Sequence, residues 1–393
     1  MTINRACIIL GVVLFAVGIW LSMRKPLWCD ELYGQKITIE GSSWGKVLTG
    51  RINDEGNNFP LYYVLQKAMM SVIRLPLPDD LGKDFQLPVI HRKYNHLIYP
   101  RGQILLRLLP DILMTSAIVL LVRFWWVRQG VVVGLIALLS ALSSGMVWWY
   151  WVEARPYPLW FLLTLLQALF LIEILSEPGT SYRSKVYLMA VNCCLAITAT
   201  LGFIQVIIVQ TILFVFGQRR LGYHVCAGML PVGGALFLLS GRSANPLYIA
   251  MDPMHIVRLN FSYQQLALLF FYLTAFFCRR AWGRRDNGSE KRLWKGLAHL
   301  LNLLVGFFLL IAVLVYVSWH WPGRHGGFPV LGRHFLYLSA LSVVMVPAMF
   351  SDLWSRSKGS PLWQGIFLFF FLMLLSSQLI EEFRYAWICG VYI

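Results

Sequence analysis

The chain has 393 residues, 58% apolar and 13% charged, with a net charge of +16. Apolar runs of about 16 to 20 residues recur along it, each long enough to cross the hydrocarbon as a helix. A soluble globular fold is thereby excluded, and a single all-α polytopic membrane domain over residues 1–393 is expected.

Residues 6–22 form the first apolar segment. Arg24 and Lys25 follow it with no small-residue cleavage site, which reads as a retained anchor rather than a removed leader. Pro26 ends the helix. Residues 24–103 are then the one long loop, expected to be extracytoplasmic. It holds two short amphipathic pieces, around Trp44–Leu48 and from Pro60 to Leu75. In the second, Leu61, Leu65, Met69, Val72 and Ile73 share one face while Lys67, Ser71 and Arg74 share the other, the pattern of a helix lying in the interface. Residues 76–103, with Pro76, Pro78, Pro88 and Pro100, predict an irregular cover.

Further crossings are predicted at 104–122, 130–150, 156–175, 186–200, 203–217, 222–240, 263–278, 296–318, 334–350 and 362–380. With the first segment they make 11, which puts the C-terminus outside. Those at 186–200 and 203–217 are short and tightly joined near Gly202, so a tilted or partly re-entrant arrangement is an alternative.

The basic residues fix the orientation rather than pointing to nucleic acid. With the N-terminus inside, the short inside loops hold 16 Lys and Arg: Arg5 and those at 123–128, 183–185, 219–220, 279–295 and 356–358. The short outside loops hold six, namely Arg155, Arg242, Arg258, Arg324, Arg333 and Arg384. That is the positive-inside bias. The seven cysteines show no metal-ligand spacing; only Cys29 and Cys389 could meet outside.

Chemistry-bearing residues gather on the outer side. Asp30 and Glu31 follow the first helix; Asn57, Asn58 and Pro60 open the interfacial helix; Arg107, Pro110 and Asp111 lie near the start of the second crossing. Glu153, Arg155 and Tyr157 follow the third crossing, and Arg333 and His334 precede the tenth. Taken singly, each has an ordinary explanation. An Asp-Glu pair outside a helix is as often a solvated loop, arginines near helix ends commonly snorkel, and Trp148, Trp149 and Trp151 read as an interfacial belt. Arg107 and Asp111, one turn apart, are placed to pair with each other.

The order of WCDELY after helix one, NNFPLYY at the interfacial helix, RLLPDI in the second crossing, EARPY after the third and LGRHFLYLSAL at a late crossing resembles the GT-C superfamily of membrane glycosyltransferases. It is most similar to the bacterial branch using polyprenyl-phosphate sugars, of the aminoarabinose and protein mannosyl transferase types. The resemblance covers the first 175 residues and the stretch near residue 333. It implies a GT-C-like helix bundle in a bacterial inner membrane, with an extracytoplasmic active site that moves a monosaccharide from a polyprenyl-phosphate donor to a glycan, glycolipid or protein acceptor. By the same resemblance Asp30 is the general base, Glu153 a second acidic residue contacting acceptor or metal, and Arg333 the ligand of the donor phosphate. Arg155, Tyr157, Glu31, Arg107, Asn58 and His334 are further substrate-binding candidates. A divalent metal is left open, with Asn58 and Glu153 as candidate ligands. Asn58-Phe59-Pro60 stands where relatives often read His-Pro-Pro, and an amide oxygen suits hard cations rather than zinc.

Two other classes compete. A flippase for polyprenol-linked sugars would need cationic residues along a central path, and the crossings after residue 175 contain almost no charge. A membrane acyltransferase would need a catalytic His with a partner, and neither His224, His255 nor His299 has one in the sequence.

Overall fold

The computed structural model describes residues 2–50, 60–73, 83, 96–97, 100–176, 182–215, 228–236, 247–249, 260, 262–281, 301, 305–306, 328–330, 336–357 and 359–388. Within these the fold is helical. The helices are α1 (Ile3–Arg24), α2 (Cys29–Tyr33), α3 (Trp44–Leu48), α4 (Pro60–Val72), α5 (Pro100–Gln129), α6 (Val131–Leu142), α7 (Gly145–Tyr150), α8 (Tyr157–Ser176), α9 (Tyr182–Ala196), α10 (Thr200–Val215), α11 (Tyr263–Ala281), α12 (Leu336–Arg356) and α13 (Pro361–Ile388). Two small strand pairs accompany them. Antiparallel β1 (Leu27–Trp28) and β2 (His96–Leu97) tie together the ends of the long loop, and β3 (Leu247–Ile249) runs parallel to β4 (Phe328–Val330).

Among the described residues, five helices are long and apolar enough to cross a membrane: Ile3–Arg24, Arg101–Gln129, Tyr157–Ser176, Leu336–Arg356 and Pro361–Arg384. The chain is therefore a multi-pass integral membrane protein. Val131–Leu142 and Thr200–Val215 are apolar but shorter. Most of the segments predicted at 222–240 and 296–318 lie outside the described residues.

α12 is the hub. It packs against α5, α6, α8, α11 and α13, and its apolar window is buried throughout. α1 packs along α5 and turns Ile8, Ile9, Val12 and Val13 outward, while α13 exposes Phe369, Met373 and Ile380, as lipid-facing helices do.

Two prolines tie elements together through the hydrogen bonds they cannot make. Pro110 lies inside α5 and has no N–H to offer the Leu106 carbonyl one turn back. The buried Gln66 side chain of α4 donates to that carbonyl instead, at 3.0 Å. Pro347 inside α12 likewise leaves the Val343 carbonyl without its helical partner, and Ser140 of α6 donates to it at 3.1 Å. In a hydrocarbon surrounding, each freed carbonyl must find such a donor.

The predicted crossing at 130–150 is broken. Ser143, Ser144 and Gly145 are weak helix formers, α6 stops at Leu142, and α7 starts again as a short helix that turns Trp148 inward. This changes the reading of the Trp cluster. Trp151 is completely buried and Trp148 nearly so, whereas interfacial belt residues would keep an edge in water.

The tight join near Gly202 is a hairpin between α9 and α10. A Cβ on Gly202 would sit 2.5 Å from the Leu195 carbonyl oxygen, so only glycine lets the turn close. The shortness of these helices is offset by a buried polar ladder. Gln205 accepts from Trp160 Nε1 at 2.9 Å and donates to Gln167 at 2.8 Å, and Gln167 donates to Asn192 at 2.7 Å. Such amide contacts glue helices together where hydrophobicity cannot.

In the long loop α3 and α4 form where the sequence predicts them. α4 buries Tyr62, Tyr63 and Gln66 and leaves Leu65 and Val72 exposed, the latter by 85%. Of the other residues on its apolar face, Leu61, Met69 and Ile73 are half-buried, Leu61 against the core. The unexpected element is the run from Cys29 to Glu40, in which α2 continues as a π-helical segment, Gly34–Glu40.

Candidate functional site

Six parts of the chain converge on one end of the bundle. They are the turn after α1, α2, the start of α4, the start of α5, the 149–157 loop and the α9–α10 hairpin. The backbone N–H of Leu61 donates to the Ile197 carbonyl at 3.1 Å, joining the start of α4 to the hairpin. α12 begins at the same end, where Tyr337 packs its ring 5.9 Å from that of Trp160.

Glu31 and Arg107 are the anchor of this end. Both are fully buried. Arg107 Nε donates to Glu31 Oε1 at 2.9 Å and Nη2 to Oε2 at 2.5 Å, a two-pronged pairing that the planar guanidinium favours. The remaining donors go to backbone: Nη1 to the Ser22 carbonyl at 3.3 Å and to the Lys25 carbonyl, and Nη2 to the Pro26 carbonyl at 2.8 Å. All five guanidinium N–H groups are thus used. Glu31 Oε1 also accepts from the Ala154 N–H at 2.9 Å, and Gln103 donates to the Lys25 carbonyl at 2.6 Å. One ion pair therefore locks the end of α1, the α2 turn, the start of α5 and the 153–155 loop.

Burial alone would push the Glu31 carboxyl upward. The charge and hydrogen bonds of Arg107, with Lys25 and the Ala154 N–H, outweigh it and hold the group below its ordinary range. The sign follows by linkage. A carboxyl with a depressed folded value contributes its full stability above the unfolded carboxylate value and loses it as pH falls through the folded one. Thermal stability of the purified protein is expected to be lost on acidification through and below the ordinary carboxylate range, and Glu31→Gln is expected to flatten that loss.

Asp30 precedes Glu31 on the same turn and is only partly buried. Arg155 is its neighbour across the site: Nη1 lies 3.5 Å from the Asp30 backbone carbonyl. Glu153 is buried with its Oε2 3.8 Å from Lys25 Nζ, and Lys25 also donates to the Trp149 carbonyl at 2.9 Å. Burial pulls the Lys25 ammonium below its usual range, against Glu153 and Glu31, which favour its charge. Tyr157 is buried with its ring 4.6 Å from that of Tyr150. Tyr62 is fully buried, and its hydroxyl has no hydrogen-bond partner among the described residues. Burial, with Glu31 nearby, raises the Tyr62 phenol well above its usual range.

Asp111 does not pair with Arg107, whose partner is Glu31. Asp111 lies one turn deeper in α5, where Oδ1 accepts from Trp151 Nε1 at 3.0 Å and from Thr115 Oγ1 at 3.2 Å. It nests against α1: a Cβ on Gly18 would fall 1.8 Å from Asp111 Oδ1. Gly18→Val is expected to destabilise the chain by about 1–3 kcal/mol by overpacking this contact, readable as a lower melting temperature.

Asn58, Arg333 and His334 lie outside the described residues, as do Cys389 and the side chain of Cys29. A metal does not fit the described residues. Glu153 already faces the Lys25 ammonium, and no three His, Cys, Asp or Glu side chains among the described residues come together as a ligand set. In comparisons with known proteins, no family model and no curated protein matches the chain.

Sequence reasoning misses Lys25, Gln103 and Tyr62 as members of this site. Lys25 reads there as flanking charge. The one signal for Tyr62 is a polar hydroxyl on the apolar stripe of α4, seven residues before Met69 and eleven before Ile73.

Proposed function

We propose that the chain is a GT-C-like membrane glycosyltransferase with 11 crossings, its site facing the extracytoplasmic side of a bacterial inner membrane. It moves a monosaccharide from a polyprenyl-phosphate donor to an envelope glycan, glycolipid or protein. The observation carrying this reading is that Asp30 sits on a turn locked by the buried Glu31–Arg107 pair, beside Arg155 and at the end of the bundle where α12 starts.

Catalysis by a positioned base needs geometry before acidity. A carboxylate on a loose loop would wander, whereas the lock fixes the turn from four directions while leaving Asp30 itself partly open. In the proposed reaction Asp30 takes the proton from the acceptor hydroxyl as its oxygen attacks the anomeric carbon. The bond from that carbon to the donor phosphate oxygen breaks, and polyprenyl phosphate leaves with the bonding electrons, inverting the anomeric centre. Arg155 and Arg333 offer forked cationic donors to the departing phosphate. Arg107 and Glu31 are positioning residues in this scheme, because their polar atoms are engaged with each other and with backbone.

The donor assignment is tested by native mass spectrometry of the purified protein with polyprenyl phosphate. A bound lipid phosphate, weakened by Arg155→Ala, is expected; no binding under any detergent or nanodisc condition would sink the donor half of the proposal.

A further inference from the structure

One turn beyond Asp30, the π-helical segment, α3 and α4 enclose a cleft of about 170 Å3. Its lining includes Gln35, Glu40, Trp44, Lys67, Met70 and Ser71. Gln35 is 98% buried; its Nε2 donates to Glu40 Oε1 at 3.1 Å, and its carbonyl oxygen Oε1 accepts from nothing among the described residues. That oxygen is shielded from solvent, so Gln35 serves the cleft by holding Glu40 rather than by meeting a ligand itself.

The other groups say what kind of ligand. Lys67 Nζ is held by the Ile39 and Ser42 carbonyls at 2.5 and 2.9 Å and lies 5.5 Å from the centre of the Trp44 ring. Glu40 is bridged by Lys36 at 3.3 Å and keeps lone pairs to spare, and Ser71 Oγ has given its proton to the Ala68 carbonyl and can only accept. The cleft therefore offers two acceptors, at Glu40 and Ser71, beside a half-exposed indole and Met70. The charges in its lining are already engaged, Lys67 by the two carbonyls and Glu40 by Lys36, which disfavours an anion or a cation. A neutral ring with many hydroxyl donors and an apolar face meets each of these features, and the volume suits one such ring.

We infer that this cleft is a monosaccharide subsite that holds a pyranose of the acceptor. The inference rests on the transferase reading and deepens it, making the acceptor a glycan. Gln35 follows Asp30 by five residues of continuous helical backbone, a rise of about 7 Å. A sugar in the cleft would thus lie one residue's length from the base, the spacing needed for the neighbouring hydroxyl or sugar to react.

The test uses the purified full chain and saturation-transfer NMR with the methyl glycosides of glucose, galactose, mannose and N-acetylglucosamine. At least one is expected to bind saturably. Trp44→Ala and Glu40→Gln are each expected to weaken that binding about tenfold, the loss of one aromatic or hydrogen-bonded contact. Absence of binding by all four, or binding unchanged in both cleft variants, overturns the subsite. A parallel transfer assay separates the two claims. Glycoside binding that needs Trp44 and Glu40, without transfer from any polyprenyl-phosphate sugar, keeps the sugar site and removes the transferase. Transfer with an acceptor KM indifferent to Trp44→Ala does the reverse.

Discussion

Asp30→Asn is expected to reduce sugar transfer by about 10²- to 10⁴-fold, the usual contribution of a positioned general base. The substitution keeps the size and most of the hydrogen bonding of the side chain while removing its capacity to take a proton. Asp30 is partly exposed and lies outside the ion-pair lock, so folding and donor binding are expected to persist. A loss confined to kcat, with lipid-phosphate binding retained, is the signature to look for. A loss of binding with little effect on kcat would make Asp30 a contact residue instead.

Glu31→Ala acts on the other side of the same turn and is expected to be a folding defect. Removing the carboxylate leaves the Arg107 guanidinium buried without its counter-charge, which costs about 3–5 kcal/mol when a buried pair is broken from one side. The variant is expected to express poorly or to melt well below wild type. Arg107→Lys should do nearly as badly, because an ammonium cannot span two carboxylate oxygens and three backbone carbonyls at once. Removing both charges in Glu31→Gln/Arg107→Met should recover part of the stability, since a buried pair replaced as a unit leaves no lone charge. If the double variant is no better than Glu31→Ala in thermal melts, the account of the lock is wrong.

The contrast between these adjacent residues explains what the sequence could and could not reveal. The periodicity of α1, α5, α8, α12 and α13 is plain because membrane crossing demands continuous apolar runs. α3 and α4 are plain because a two-faced helix writes its 3.6-residue period directly. The helical run from Cys29 to Glu40 is hidden, since Gly34 and the β-branched Ile37, Thr38 and Ile39 argue against helix. It is held by the partners of Glu31 and Lys67 rather than by propensity.

Pairings across the chain are harder still to read. Arg107 and Asp111 have the spacing of a helical ion pair, yet Arg107 reaches Glu31, 76 residues earlier, because the end of α1 supplies carbonyls that no intrahelical partner could match. Asp111 is left to Trp151, whose place in a Trp-rich stretch looks like a belt. The roles of Gln66 and Ser140 are within reach, because a proline inside a crossing always frees a carbonyl one turn back. Which donor answers it requires the fold. Of the candidate site, the shared end of the bundle is legible for Asp30, Glu31, Glu153 and Arg155, while the full burial of Glu31 and its pairing with Arg107 come only from the fold.

The most direct test of the central claim is mass spectrometry of polyprenyl-linked sugars and envelope glycans from cells with and without the gene, complemented by wild type or by Asp30→Asn. A glycosyltransferase of the proposed kind predicts that one glycan lacks a monosaccharide while its polyprenyl-phosphate donor accumulates, and that wild type but not Asp30→Asn restores it. Intact glycans in the absence of the gene, or full complementation by Asp30→Asn, would contradict it.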